Sequence, residues 1–275
     1  MKSEEMVAIS MNIADLIFAA SEIISYYNSK KMLKIQCKGG NPRDLVTDAD
    51  KASEEFILGA LKRDYPDWQI VGEEGSGEII SINPKIPTWL VDPLDGTTNS
   101  AKCIPLYAIS IALWQNNNPL LGVVLEIPTK RAFAGTTGTK KLNAVLFDDE
   151  TRLNLAVSQC ENIRSASIAF DYPKLDERRR IIDNAIFNLM KKTDHTRELG
   201  SAVLALCYVA AGIFDGYINA QLYPWDVAAA KLFIEQAGGK VTNEKGEPWT
   251  FADRCIVASN GLIHDELVEE FQNAL

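Results

Sequence analysis

"WLVDPLDGTTNS" (residues 89–100) decides how this chain is read. The apolar, β-prone "TWLV" runs into Asp92, Pro93 disfavours the α region for Asp92, and "DGTTN" is rich in turn formers and helix caps. Residues 88–92 are therefore read as a strand ending at Asp92, with Asp95 in the turn beyond and a helix starting near Gly96. A helix start there would aim backbone N–H groups and the hydroxyls of Thr97 and Thr98 at one point, a ready place for a phosphate. Two carboxylates facing a phosphate would repel it unless divalent cations stood between them. Oxygen donors without imidazole or thiolate select hard ions, Mg²⁺ first, with Mn²⁺ or Ca²⁺ as competitors. Taken alone, the stretch is equally compatible with a solvated turn.

The rest of the chain narrows the choice. Its 275 residues, 47% hydrophobic and 24% charged, suit one large core or two coupled ones. A net charge of −9 argues against nucleic acid or an anionic membrane as the main partner. The five cysteines, Cys37, Cys103, Cys160, Cys207 and Cys255, are widely spaced and odd in number, and read as reduced core residues. The N-terminal apolar stretch is broken by Asp15 and Glu22, which fits neither a signal peptide nor a membrane span, so the expected compartment is the cytoplasm. His195 and His264 lie far apart, with His195 expected at the surface. Zinc sites and Ser-His-Asp machinery mostly need more than this, so the chemistry is expected to run on carboxylates.

Periodicity predicts amphipathic helices over residues 5–30 and 48–64 and strands at 68–72, 88–92, 107–114 and 119–127. After about residue 150 the pattern alternates: "SASIAF", "FDGYINA" and "CIVASN" as strands, with helices between them and a last helix from Ile263. We read 1–150 as an N-terminal α+β subdomain with a large, mainly antiparallel sheet. Residues 151–275 are read as an α/β subdomain sharing an interface with it.

Three more acidic signals recur. Glu73 and Glu74 in "IVGEEGSGE" follow a strand, and alone would be a solvated loop. Asp226 in "YPWDVAAAKLFIEQAGG" precedes a helix closed by Gly238 and Gly239, and alone would be an N-cap. Asp44, Asp48 and Asp50 in "DLVTDAD" could each simply start the next helix.

Together, "GEE", "WLVDPLDGTTN" and "WDVAAAKLFIEQAGG" stand in the order and approximate spacing of the inositol monophosphatase-like, metal-dependent sugar phosphatases. The resemblance runs from "DLVTDAD" through "RELGSAVLALCYVAAGIFDGYI" to "CIVASN". It implies a layered α-β-α-β-α sandwich with the site between the halves. It further implies that Glu73, Asp92, the carbonyl of Leu94, Asp95 and Asp226 hold two or three Mg²⁺, with Li⁺ and Ca²⁺ inhibitory. Thr97, backed by Asp50, would orient the attacking water, with Glu73 among the catalytic groups and no phosphoenzyme formed. Asp95, Gly96, Thr97, Thr98, Gly200, Ser201, Ala202, Asn219 and Asp226 would contact the substrate, a small phosphorylated polyol or sugar, with inositol 1-phosphate first. A homodimer is implied as well.

One position departs from the pattern. Members specific for inositol phosphate usually carry Glu where this chain has Asn219, seven residues before Asp226. That keeps fructose 1,6-bisphosphate, 3'-phosphoadenosine 5'-phosphate and histidinol phosphate open as substrates. The 34–44 loop could be a flap bringing Lys38 to the site or a plain surface loop. "DERRR" at 176–180 reads as the solvated face of a helix. Two rivals fare worse. Aspartyl-phosphate phosphatases place two acids two apart near the start of the domain. A non-catalytic phosphometabolite-binding protein would show a damaged acid set, whereas Glu73, Asp92, Asp95, Asp226, Thr97 and Asp50 are all present.

Overall fold

The computed structural model describes residues 3–30, 34–76, 82–138, 143–193 and 195–275. Helix α1 (Ser3–Lys30) buries Met6, Ile9, Ile13, Ile17, Ala20 and Ile24, an i, i+3/i+4 stripe. It is long and apolar enough to cross a membrane by composition, yet this stripe packs into the core. Strands β1 (Gln36–Cys37) and β2 (Leu45–Val46) pair antiparallel and frame the loop between them. Helix α2 (Asp48–Asp64) follows, then β3 (Gln69–Gly72), the single turn α3 (Glu73–Ser76), β4 (Thr88–Asp95) and the short α4 (Thr97–Ala101).

Strands β5 (Ala108–Gln115), β6 (Asn118–Glu126), β7 (Arg131–Thr136), β8 (Val145–Asp148) and β9 (Thr151–Asn154) complete a seven-stranded sheet in sequential order. Its β3–β4 pair is parallel and the other described pairs are antiparallel. The rest of the chain runs β10 (Ser167–Phe170), α5 (Asp176–Leu189), β11 (His195–Glu198), α6 (Ala202–Ala210), β12 (Gly216–Asn219), α7 (Pro224–Gln236), β13 (Lys240–Thr242), β14 (Ile256–Ser259) and α8 (His264–Gln272). Its five strands form a second sheet in the order β11-β10-β12-β14-β13, parallel across the first three.

Helices α1 and α2 cover one face of the large sheet through Ile57, Leu61, Trp89, Ile109 and Leu113. Helices α6 and α7 lie between the sheets, and α5 and α8 close the far face through Ile182, Leu189, Leu267 and Phe271. This is the α-β-α-β-α layering expected from the sequence. Every residue of α6 is buried, as a helix packed on both sides requires. Helix α7 sits close to the large sheet because Gly122 and Gly135 face each other across β6 and β7. A Cβ on Gly122 would lie 2.9 Å from Ala229 Cα, and one on Gly135 would lie 3.1 Å from Phe233.

Two sequence readings are corrected here. Strand β4 continues past Asp92 to Asp95, with a ladder irregularity between them, so both acids belong to one strand end. All five cysteines are free, but only Cys207 and Cys255 are buried. Cys37 and Cys103 are exposed and Cys160 is half-exposed, because they fall at strand ends and loops. His195 is exposed, as expected.

Candidate active site

The end of β4 is the hub. Asp92, 1% exposed, accepts from Leu94 N–H at 3.0 Å, which folds its carboxylate back over the strand end. Asp95 Oδ2 accepts from Val203 N–H at 3.2 Å and from the Ser201 hydroxyl. Gly96 then turns the chain with φ +84°, and a Cβ there would lie 2.8 Å from Leu106 O. Glycine is therefore dictated twice, by backbone conformation and by space. Asn99 fixes the segment by donating to Leu106 O and Leu199 O, both at 2.8 Å.

Helix α2 delivers Asp50. Thr47 is its N-cap, and Asp50, three residues on, accepts from the Thr47 N–H and hydroxyl. The other oxygen of Asp50 accepts from Thr97 Oγ1 at 2.7 Å. Asp44 and Asp48, the other acids of "DLVTDAD", lie outside this bond. Asp226 accepts from Tyr223 N–H at 2.7 Å. The N-cap reading of Asp226 is corrected: Tyr223 is the N-cap, and Asp226, three residues on and inside the helix, accepts from its amide while its carboxylate also lines the site.

Glu73 begins the turn after β3. Lys38 Nζ lies 3.0 Å from Glu73 Oε1 and 2.8 Å from Glu74 Oε1, and Lys174 Nζ lies 3.6 Å from Glu73. The 34–44 segment therefore does bring Lys38 to the acids. Burial acts to raise the pKa of Glu73, but Lys174 and Lys38 outweigh it and hold the carboxyl below its usual range. The other acids move the opposite way. Burial, then Glu73, Asp95 and Asp226, push Asp92 well up. Burial, then Asp171 and Glu73, take Asp95 to about 7 against its bond from Ser201. Burial and Glu73 take Asp226 to about 8.

Among the described residues no lysine or arginine pairs with Asp92, Asp95 or Asp226 within 4.0 Å. Nor, among the described residues, are three acids gathered into a finished metal cage: Asp92, Asp95 and Asp226 each accept from a protein donor, and Glu73 is paired with Lys38. Buried, mutually repelling carboxylates with only oxygen donors fit hard divalent cations in chemistry, with side-chain rotation on binding.

One cavity of about 490 Å³ gathers Glu73, Asp92, Leu94, Asp95 and Asp226 with Gly96, Thr97, Thr98, Gly200, Ala202 and Asn219. Two predicted contact residues are otherwise engaged. Ser201, 1% exposed, gives its hydroxyl to Asp95. Asn219 donates to Asp171 O and Tyr217 OH, both at 3.1 Å, and accepts from Gln221 N–H at 2.8 Å.

A further part of the lining, absent from the residues predicted above, is formed just past the C-terminal end of β10 by Asp171, Tyr172 and Lys174. The signal was available: parallel strands present their C-terminal ends to ligands, and "FDYPK" follows such a strand. The reading of "DERRR" as a solvated face holds for Asp176, Glu177 and Arg180, which are exposed, but not for Arg179. Arg179 lines the cavity with its guanidinium 4.3 Å from the Tyr172 ring centre, because the turn before α5 brings that helix face to the mouth.

Comparison with known proteins agrees with this arrangement. The family model described as the inositol monophosphatase family matches residues 3–275. The chain is 34% identical over 243 residues to an inositol-1-monophosphatase of Bacillus subtilis, covering 88% of each protein. It is 29% identical to a fructose-1,6-bisphosphatase/inositol-1-monophosphatase of Aquifex aeolicus, covering 94% of each. The solved inositol monophosphatase of Anabaena (Nostoc) superposes with a TM-score of 0.79 at 31% identity, covering 98% of this chain and 97% of that one. With a carboxylate-lined cavity at the end of β4 and a family match over nearly its whole length, the chain belongs to the inositol monophosphatase family of phosphoric monoester hydrolases.

Proposed function

We propose that this enzyme is a Mg²⁺-dependent phosphomonoesterase that hydrolyses a small phosphorylated polyol or sugar, with inositol 1-phosphate the leading substrate. The observation that carries the reading is the meeting of acids from β3–α3, β4 and α7 in one cavity beside Gly96, Thr97 and Thr98. Glu73, Asp92, the Leu94 carbonyl, Asp95 and Asp226 would hold two or three Mg²⁺. Bound there, Mg²⁺ supplies a water of lowered pKa and positive charge at the phosphate.

The chain's own groups do the rest. Thr97 spends its proton on Asp50 at 2.7 Å, so its oxygen is left to accept from, and so aim, the attacking water. Asp50, pinned by the N-cap of α2, keeps that hydroxyl from turning. The Gly96 and Thr97 amides, with Thr98, meet the nonbridging oxygens where charge builds. Gly200 and Ala202 border the leaving alcohol. Ser201 and Asn219 act by holding Asp95 and the end of β12, since their polar atoms are already bonded.

A specific observation favours a second substrate reading, a sugar bisphosphate. Arg43, Lys174 and Arg179 line the same cavity, where a second phosphate would compete with Asp176 for Arg43 and with Asp44 for Lys174. The Aquifex aeolicus relative named for both activities points the same way. We further propose a cytoplasmic homodimer with 1–150 and 151–275 as coupled subdomains, on composition and family resemblance.

The test is phosphate release from inositol 1-phosphate, fructose 1,6-bisphosphate, 3'-phosphoadenosine 5'-phosphate and histidinol phosphate, with Mg²⁺ varied and Li⁺ or Ca²⁺ added. Release that requires Mg²⁺ and falls with Li⁺ is expected. No release from any of them would favour a non-catalytic phosphometabolite-binding protein.

A further inference from the structure

The cavity contains one buried acid that the proposed chemistry does not use. Asp171, 8% exposed, sits just past β10 in the lining of the same cavity as Asp92. Its Oδ1 accepts from Gly200 N–H at 2.5 Å and its Oδ2 accepts from Tyr217 OH at 3.1 Å. Asn219 Nδ2 donates both to the Asp171 carbonyl and to Tyr217 OH, at 3.1 Å each. Asp171, Tyr217 and Asn219 are thus tied to one another, and Asp171 reaches the 200–203 turn through the amide of Gly200.

Gly200 has φ +69°, and a Cβ there would lie 3.0 Å from Asn99 Nδ2, so the turn it makes is tightly confined. The next residue is Ser201. Its hydroxyl donates to Asp95 Oδ2, and Val203 N–H donates to the same oxygen at 3.2 Å. The rotation of the Asp95 carboxylate is therefore set by the 200–203 turn, and the turn is anchored by Asp171.

We propose that Asp171 is a positioning residue for Asp95, acting through Gly200 and Ser201 to hold that carboxylate in the orientation a divalent cation requires. The inference rests on the reading of Asp95 as a metal ligand. A structural acid holding any buried turn would contribute to melting temperature alone. A positioning residue must also change cation affinity in the folded protein, because partners of a ligating carboxylate fix its direction.

The experiment is calorimetric titration of Mn²⁺ into the full chain, with thermal melts run in parallel at temperatures where each variant is folded. Asp171→Ala should weaken Mn²⁺ binding roughly ten- to hundredfold, the usual effect of losing a ligand's supporting partner. Asp171→Asn, whose amide oxygen still accepts from Gly200 N–H, should restore affinity to within about threefold, since one of the two anchoring bonds is kept. Ser201→Ala cuts the relay further along, so the double variant D171A/S201A should bind no more weakly than the weaker single variant. If D171A does not fold, Tyr217→Phe removes one donor to Asp171 without opening a cavity, and should lower Mn²⁺ affinity by about two- to threefold, as D171N does, since it loses the same bond.

Wild-type Mn²⁺ affinity in a destabilised but folded D171A, or losses in the double variant that simply multiply, would overturn the relay. So would unchanged affinity in Y217F where D171A does not fold. A wild-type protein that binds no Mn²⁺ would overturn the metal-site reading itself, a result distinct from failure of the relay.

Discussion

Replacing Asp95 by Asn should make the metal-free protein more stable and the enzyme inactive. Asp95 is half-buried, and desolvation with Asp171 and Glu73 nearby raises its pKa from 3.8 to about 7. The folded pKa lies above the unfolded one, so the charged carboxylate costs stability. That cost is absent below about pH 4, grows between pH 4 and 7, and is fully present above pH 7. Three units at about 1.36 kcal/mol each set a ceiling of about 4 kcal/mol. Asn accepts from Ser201 and Val203 less strongly than a carboxylate does, which offsets part of this, so about 2 kcal/mol is the expected gain in D95N at pH 8. At roughly 2 °C per kcal/mol for a chain of this size, the variant should melt about 4 °C higher.

Thermal melts in EDTA from pH 4 to 8.5, followed by circular dichroism, measure this directly. The gap between D95N and wild type should close toward pH 4. Adding Mg²⁺ at pH 8 should raise the wild type by binding the folded state and leave D95N nearly unmoved. A D95N protein that melts below wild type at pH 8 in EDTA, or a gap that ignores pH, would refute the reasoning.

Other substitutions separate the parts of the account. Thr97→Val removes the 2.7 Å bond to Asp50, and turnover should fall about 10²-fold or more while the melting curve shifts by about 1 kcal/mol or less. Lys38→Met removes the cation that pairs with Glu73 and Glu74, so activity titrations should reach half-saturation at severalfold lower Mg²⁺; an unchanged midpoint would show that Lys38 does not compete for these acids. Gly122→Ala forces a methyl against Ala229 and Phe233, which chemical denaturation should report as a loss of about 1–3 kcal/mol with kcat unchanged.

How much of this could be read from residues alone follows from where order is local. Strand β4 and its turn were readable because "TWLV", Pro93 and Gly96 each restrict the backbone within a few residues of the acids. Helix α1 was readable from its 3.6-residue stripe. Strands β9 and β11 were missed because all four residues of β9 are exposed, as are three of the four in β11, so no apolar alternation marks them. Strand β13, three residues long, is too short to show a period.

The acids at Glu73, Asp92, Asp95 and Asp226 are legible because each ends or follows a strand or lies in the first turn of a helix with its own sequence signature. Arg179 carries no such mark: its place depends on how α5 docks against the cavity, more than 80 residues from β4. The cysteines show the same limit. Composition suggests reduced thiols, but whether each is inside depends on tertiary position, and Cys37 and Cys103 are at the surface.

The most direct test of the central claim is anomalous diffraction from crystals grown with Mn²⁺. Peaks within coordination distance of Asp92, shared with Asp95 and Asp226 on one side and with Glu73 on the other, are the predicted result. Mn²⁺ found elsewhere, with those four carboxylates still bonded only to protein donors, would contradict it.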